Sequence, residues 1–309
     1  MKIIGPDALI FGVPNFNECC QYLSDYGLKK TYIDADKAIY SALDGTAIEI
    51  HHEQSEHLPP ALKSGSLLRQ QVYGVKDHTD LNAIYEELTK DREVLKHTDG
   101  TIETVDDSGF AIKFQVTIRQ ELNLEGEKIN SPGALPQRIA NELGVHPKMD
   151  ITPRTLSHVV LFVPNSQTAA DFYCKRLGFK VTDILEGVGP FLRPQGNDDH
   201  HCLFLIQTPE SMQGIEHFAF HLAGPTEVML AGSKFLEAGY TPFWGPGRHN
   251  FGSNWFWYFN SPLGCHVEYD ADMDKHDQNW IPRSVPFSAD ASQRFLFKYA
   301  EKWAPGADH

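Results

Sequence analysis

A chain of 309 residues with 41 acidic and 27 basic side chains carries a net charge of −14, which works against non-specific attraction to nucleic acid or anionic membranes and favours small-molecule chemistry. At 41% hydrophobic and 22% charged residues it has an ordinary globular composition with enough length for two domains, and no stretch approaches the roughly 18 apolar residues of a membrane-spanning helix. Cys19, Cys20, Cys174, Cys202 and Cys265 are odd in number and lack a CxxC spacing, so reduced thiols in a cytoplasmic protein are expected rather than a disulfide framework or a zinc ribbon. The N-terminal apolar run is broken by Gly5, Pro6 and Asp7, which argues against an export signal.

In chain order, strands are expected near 7–13 and 69–75, each followed by a helix. The stretch starting at Asp7, "DALIFGVPNFNECCQYLSDYGLKKT", is echoed by "SHVVLFVPNSQTAADFYCKRLGFKVT" starting at Ser157. Each has an apolar strand, a shared Val-Pro-Asn, an amphipathic helix ending at a glycine (Gly27, Gly178) and a Gly-hydrophobic-Lys exit into another strand. The chain is thus an internal repeat offset by about 150 residues. The second copy predicts strand 157–163, helix 167–177, strands near 179–185, 188–192, 201–207 and 215–222, helix 225–238, and strands near 240–244, 254–260 and 265–270. That order is βαβββ followed by βαβββ. Residues 1–122 form the N-terminal pair of units, 123–155 the connector and 156–275 the C-terminal pair; 276–309 form an irregular, aromatic-containing tail expected to pack over the second domain.

The strand "GIEHFAFHLAG" poses a chemical question, because period-two alternation puts His217 and His221 on one face of a core-like segment. Paired βαβββ units resemble the vicinal oxygen chelate superfamily, and the two-domain length looks like the type I extradiol ring-cleaving dioxygenases. The resemblance spans roughly residues 5–275, with the motifs in the C-terminal half. It implies an α+β fold and a metal held by His158 in "LSHVVLFVP", His217 in "GIEHFAF" and Glu268 in "CHVEYDADMD". A 2-His-1-carboxylate set leaves one face of the metal open, which suits iron(II) chemistry with oxygen, and it accommodates manganese(II) as well. By eye, the repeat places Ala8, Gln71 and Lys113 at the equivalent first-domain positions, so metal is expected in the C-terminal domain alone.

Around that triad, a three-residue hairpin loop Pro262-Leu263-Gly264 pairs Tyr258 with Glu268, which puts the phenol beside the carboxylate. Trp255 and Trp257 face the other way and read as packing. Of the pair in "DDHHCLFLIQ", His201 matches the histidine that lies over the oxygen site in the resembling enzymes as an acid-base group, a role suited to an unperturbed pKa near ~6.5. His200, on the opposite face by alternation, is read as a bystander. His249 in "GPGRHNFGSN" matches a pocket histidine on the diol side; Phe251-Gly252 follow it where biphenyl-diol members often carry Asn-Asp, with Asn254 the nearest polar group, so biphenyl specificity is not implied. His51, His52 and His57 are read as a solvated loop. His221 lies four residues beyond His217, about 13 Å along the strand, and is given at most a supporting role at the rim.

The resemblance therefore implies an iron(II)-dependent extradiol dioxygenase that opens a catecholic ring next to the diol with O2, in a cytoplasmic homo-oligomer. Two alternatives remain open on the sequence: a glyoxalase-like metal-dependent lyase or isomerase, and an aromatic-ligand binding or resistance protein of the same fold. Oxygen consumption discriminates the first reading from both.

Overall fold

Runs of buried residues centred on Ile3–Val13 and Thr155–Val163 mark two long strands that are covered on both faces and lie at the heart of two sheets. The computed structural model describes residues 1–146 and 148–297. The first half contains β1 (Ile3–Val13), α1 (Phe16–Asp25), β2 (Lys29–Ile33), β3 (Lys37–Ser41), β4 (Ala47–His52), β5 (Leu68–Val75), α2 (His78–Leu88), β6 (Leu95–Lys96), β7 (Ile102–Val105) and β8 (Ala111–Val116). The second half contains β9 (Thr155–Val163), α3 (Ser166–Asp171), β10 (Lys180–Leu185), β11 (Gly189–Arg193), β12 (Leu203–Gln207), β13 (Gly214–His221), α4 (Pro225–Glu237), β14 (Pro242–His249), β15 (Trp255–Asn260), β16 (His266–Ala271), β17 (Arg283–Val285) and β18 (Gln293–Leu296). Among the described residues no helix is long and apolar enough to cross a membrane.

The repeat read from the sequence is visible in the pairing. The first sheet runs β2-β3-β4-β1-β5-β8-β7-β6, and the second, inside its two outermost strands, runs β10-β11-β12-β9-β13-β16-β15-β14. In each, two βαβββ units meet along a central antiparallel pair, β1 with β5 and β9 with β13. The expected helix 167–177 is α3 followed by a π-helical segment, Phe172–Arg176. The consecutive Phe172 and Tyr173 are both buried there.

The tail is more ordered than its sequence suggests. β17 adds to β10 in parallel, and β18 adds to β14 antiparallel. Strands of three and four residues carry no readable periodicity, and side chains fix their positions instead. The main-chain N–H and guanidinium of Arg283 hold Asp183 on β10, with N···Oδ1 at 2.8 Å and Nε···Oδ1 at 3.0 Å. Residues 298–309 of the expected tail lie outside the described residues.

Two glycines have steric jobs that position the site. Gly264, at φ 74°, supplies the left-handed corner of the β15–β16 hairpin. Gly232 lets α4 sit on the sheet, since a Cβ there would lie 2.0 Å from Trp257 Cε3. The two halves share one hydrophobic cluster, and polar bonds tie the first half to the site-bearing strands. Tyr26 donates its hydroxyl to the carbonyl of Glu268 at 2.6 Å, and its ring stacks on Tyr269 with centroids 4.2 Å apart. Arg119 donates to Thr155 Oγ1 at 2.7 Å and to the Leu156 carbonyl at 3.1 Å. The first half thus buttresses both β9 and β16.

Candidate metal centre

The register explains how three distant residues meet. Ala219 on β13 lies opposite His158 on β9 and opposite Glu268 on β16, so these three form one row across the sheet and share a face. His217 stands one row away on the same face. The ligand-capable atoms of His158, His217 and Glu268 all lie within 4.8 Å of one another. His158 Nε2 is 3.2 Å from His217 Nε2 and 3.0 Å from Glu268 Oε2, and His217 Nε2 is 3.4 Å from that same oxygen.

Hydrogen bonds behind the imidazoles decide which nitrogen faces inward. Ser157 donates its hydroxyl to Asp270 Oδ2 at 3.0 Å, so its oxygen accepts from His158 Nδ1–H at 2.9 Å. His217 Nδ1–H donates to Glu216, whose other oxygen accepts from His266 Nδ1 at 2.8 Å. A β-bulge between Ile215 and His217 makes Glu216 the extra residue of its strand and breaks the alternation that would have turned it away. Both Nε2 lone pairs therefore converge on Glu268, which is fully buried with neither oxygen in an aligned hydrogen bond. Two acceptor nitrogens and an unpaired carboxylate around one point need a cation, and the donor set fits a divalent metal. Burial alone would raise the pKa of Glu268, but His158, His217 and His249 hold it well below the usual carboxylate range. Burial depresses the pKa of His217, yet Glu216 and then Glu268 lift it overall to about 9, so the two carboxylates favour positive charge at this point.

The expected companions surround this point. Tyr258 pairs with Glu268, as the hairpin count anticipates. His249 donates Nδ1–H to the Ser292 carbonyl at 2.8 Å, leaving Nε2 to accept from the Tyr258 hydroxyl at 3.2 Å. Burial, then Glu268, pushes the Tyr258 phenol well up. His201 packs on His158 with ring centroids 4.4 Å apart, and burial, then His158 and His200, pushes its pKa well down, so it stays neutral. His158, His217, His201, His249 and Tyr258 line one cavity of about 200 Å³, walled by apolar side chains that include Val160, Phe191, Phe204, Ile206, Trp244 and Phe251. Among the described residues, neither lysine nor arginine lines it.

The structure corrects three sequence expectations. His200 is not a bystander facing away: it is completely enclosed and touches His201, because β12 starts only at Leu203 and strand alternation does not govern residues 200–202. His51 is not solvated either. It is buried at the end of β4, with Nε2 2.6 Å from Glu49 and Nδ1 3.2 Å from Asp36. In the first sheet, Val72 lies opposite both Ala8 and Lys113 while Gln70 lies opposite Ile10, so Gln70 rather than Gln71 is the counterpart of His217. Ala8, Gln70 and Lys113, the last paired with Glu103 at 3.2 Å, offer no comparable ligand set. Metal analysis of the full chain is expected to give one equivalent; two equivalents would contradict this.

Ser157, Glu216, His266, Asp270 and Asp183 escaped the sequence reading, since each acts on a ligand or pocket residue through a contact that alternation does not encode. His221 belongs with them: its Nδ1 is 2.8 Å from Asp270 Oδ1 and its Nε2 is 3.6 Å from Asp199 Oδ2. Burial depresses its pKa, but Asp270 and Asp199 raise it overall to about 10. A raised folded pKa contributes stability that is fully present below the unfolded value of about 6.5 and is lost as pH rises through about 10. Replacing His221 with Phe takes the nearest cationic partner from the buried Asp270 and leaves Asp199 with Lys275 at 3.9 Å, and is expected to cost about 3–5 kcal/mol at pH 7, with the gap from wild type narrowing toward pH 10. Denaturant titrations of both proteins at the two pH values check this; a loss under about 1 kcal/mol at pH 7 would mean the pair is not matched as described.

Comparison with known proteins follows the same division of the chain. Residues 155–269 match the Glyoxalase/Bleomycin resistance protein/Dioxygenase superfamily. Metapyrocatechase 2 of Cupriavidus necator is 43% identical over 124 residues, which is 40% of this chain and 38% of that protein. The chain thus matches well under half the length of that relative. The structure of a Mn(II)-bound glyoxalase from Novosphingobium aromaticivorans is similar with a TM-score of 0.72 at 21% identity, over 95% of this chain and 91% of that one. A catechol 2,3-dioxygenase structure gives a TM-score of 0.71 at 15% identity, over 98% and 97% of the two chains. At these identities the structural likenesses establish the fold: two mixed sheets of paired βαβββ units.

Proposed function

We propose that this chain, whose residues 155–269 match the glyoxalase/bleomycin resistance protein/dioxygenase superfamily, is a non-haem iron(II) extradiol dioxygenase acting on a catecholic substrate with O2. The observation that carries this reading is the convergence of His158, His217 and Glu268 on one point, beside a cavity that the two imidazoles line together with His201, His249 and Tyr258. A metal used only to polarise a carbonyl leaves the second group of three without a task. A sequestering pocket needs neither group.

Bound iron(II) supplies Lewis acidity toward the two diol oxygens and one-electron chemistry toward O2; manganese(II) suits the same ligands. His158, His217 and Glu268 occupy one side of that point, leaving the cavity side for substrate. The apolar wall takes the aromatic ring and excludes water, and the lack of a cationic lining residue favours a ring without a carboxylate. His201, neutral and buried, takes a diol proton and later returns it. Tyr258 and His249 form a hydrogen-bonded pair beside Glu268, placed to orient a substrate oxygen. The product is a ring-opened semialdehyde acid. The five free cysteines suit a reducing compartment, and the working form is taken as a cytoplasmic homo-oligomer.

The test is anaerobic reconstitution with iron(II), followed by oxygen-uptake measurements across mono-, bicyclic and hydroxylated catechols. Uptake with at least one monocyclic catechol is expected. Metal-dependent conversion of a thiol–ketoaldehyde adduct without oxygen uptake would move the assignment to an isomerase.

A further inference from the structure

We propose that Asp183 and His200 act as a positioning relay that fixes the ring orientation and tautomer of His201, keeping its proton on Nδ1 and its Nε2 lone pair available in the cavity. The proposal rests on the dioxygenase reading for what His201 does, but the relay itself stands on geometry. His200 Nε2 is 2.8 Å from Asp183 Oδ2, and His200 Nδ1 is 3.0 Å from His201 Nδ1. Both Asp183 and His200 are completely enclosed.

A carboxylate can only accept, so His200 carries its proton on Nε2 and donates it to Asp183. Arg283 already matches the charge of Asp183 through its guanidinium, with Nε 3.0 and 3.1 Å from the two carboxylate oxygens. The imidazole of His200 is thereby a neutral bridge, and its Nδ1 is an acceptor. Two ring nitrogens 3.0 Å apart need one proton between them, so His201 Nδ1 donates. Among the described residues His201 Nε2 has no hydrogen-bond partner, and the ring lines the cavity beside His158. A lone pair there accepts the diol proton: the substrate O–H bond breaks, an Nε2–H bond forms, and the resulting imidazolium keeps its Nδ1–H bond to His200. Return of that proton restores the starting state.

The bridge is held in place from several sides. The main-chain N–H of His200 donates to the Asp274 carbonyl at 2.7 Å. Its ring packs against Phe191 and His276, with centroids 5.4 Å away in each case. A Cβ on Gly252, whose φ is 76°, would lie 3.3 Å from His200 Nδ1, so the loop that follows His249 is closed against the relay. The C-terminal strand β17, through Arg283, thus reaches the cavity along a chain of three side chains.

The chain of acceptors and donors can be reversed by a single near-isosteric substitution. In Asp183→Asn, the amide oxygen in the Oδ1 place keeps the Arg283 main-chain and Nε contacts, while the NH2 in the Oδ2 place gives up the bond from Arg283 Nη2 and is presented to His200. That turns His200 Nε2 into an acceptor, His200 Nδ1 into a donor, and His201 into the Nε2–H form. Ring 15N–1H correlation spectra of the diamagnetic Zn(II)-loaded protein read the tautomer directly. The expected result is Nδ1–H on His201 in wild type and Nε2–H in Asp183→Asn. In the iron(II) enzyme kcat with catechol should fall by about 10²–10⁴-fold, while KM and anaerobic catechol affinity stay within about threefold. A wild-type His201 protonated on Nε2, or a reversed tautomer with kcat within about threefold, would overturn the proposal. If Asp183→Asn does not fold, His200→Gln, which keeps a donor toward Asp183 and an acceptor toward His201, should retain more turnover than His200→Phe; equal losses would overturn it as well. If the wild type cleaves no catechol, the dioxygenase reading fails, and the relay still stands or falls on the nitrogen spectra.

Discussion

Glu268→Gln is expected to remain folded and to lose metal by more than the ~10–100-fold that accompanies loss of a group behind a ligand, because here the ligand itself goes. An amide is a poor ligand for a hard divalent cation, and Gln would present an N–H where His158 and His217 already crowd the carboxylate at 3.0 and 3.4 Å. Among the described residues the partners of the carboxylate are the imidazoles of the site itself, His158, His217 and His249, so its loss should spare the rest of the fold. Circular dichroism and metal analysis of the same preparation separate the outcomes. Wild-type metal content in a folded variant would make Glu268 a buried structural acid and remove the basis for the whole site.

His201→Ala is expected to do the opposite, leaving metal content unchanged while turnover drops by the ~10²–10⁴-fold that a positioned acid-base group contributes. His201 packs on His158 with ring centroids 4.4 Å apart, its Nδ1 is engaged by His200, and it is not one of the three ligand residues, so the triad should survive its removal. Anaerobic catechol binding, followed as a spectral shift, should persist. Small exogenous bases should restore part of the rate, since the excised imidazole leaves space in a cavity already of about 200 Å³. Ring cleavage within about threefold of wild type would pass the proton work to the His249–Tyr258 pair, whose members lie 3.2 Å apart.

The sequence was most legible where structure follows a fixed period. Strand alternation and the repeat marked out the strands, the family resemblance picked His158, His217 and Glu268 on three of them, and a count outward from Gly264 placed Tyr258 opposite Glu268. Legibility failed where the backbone leaves regular geometry. The bulge at Glu216 turns it toward His217, the irregular stretch before β12 lets His200 and His201 meet, and the short β17 delivers Arg283 to Asp183. The slip between Gln70 and Gln71 has the same origin, because β1 and β5 change register three times and a count by eye carries the error. The supporting carboxylates Asp183, Glu216 and Asp270 were invisible for a further reason: each acts through a tertiary contact that no local pattern records.

The central claim is that this cavity cleaves a catechol beside its diol. The most direct measurement follows oxygen uptake and product identity together in the iron(II)-loaded protein with one accepted catechol. The account predicts one O2 consumed per catechol and a semialdehyde acid as the product, with no activity after chelation. A dicarboxylic acid from cleavage between the two hydroxyl-bearing carbons, or ring-intact substrate recovered with no oxygen consumed, would contradict it.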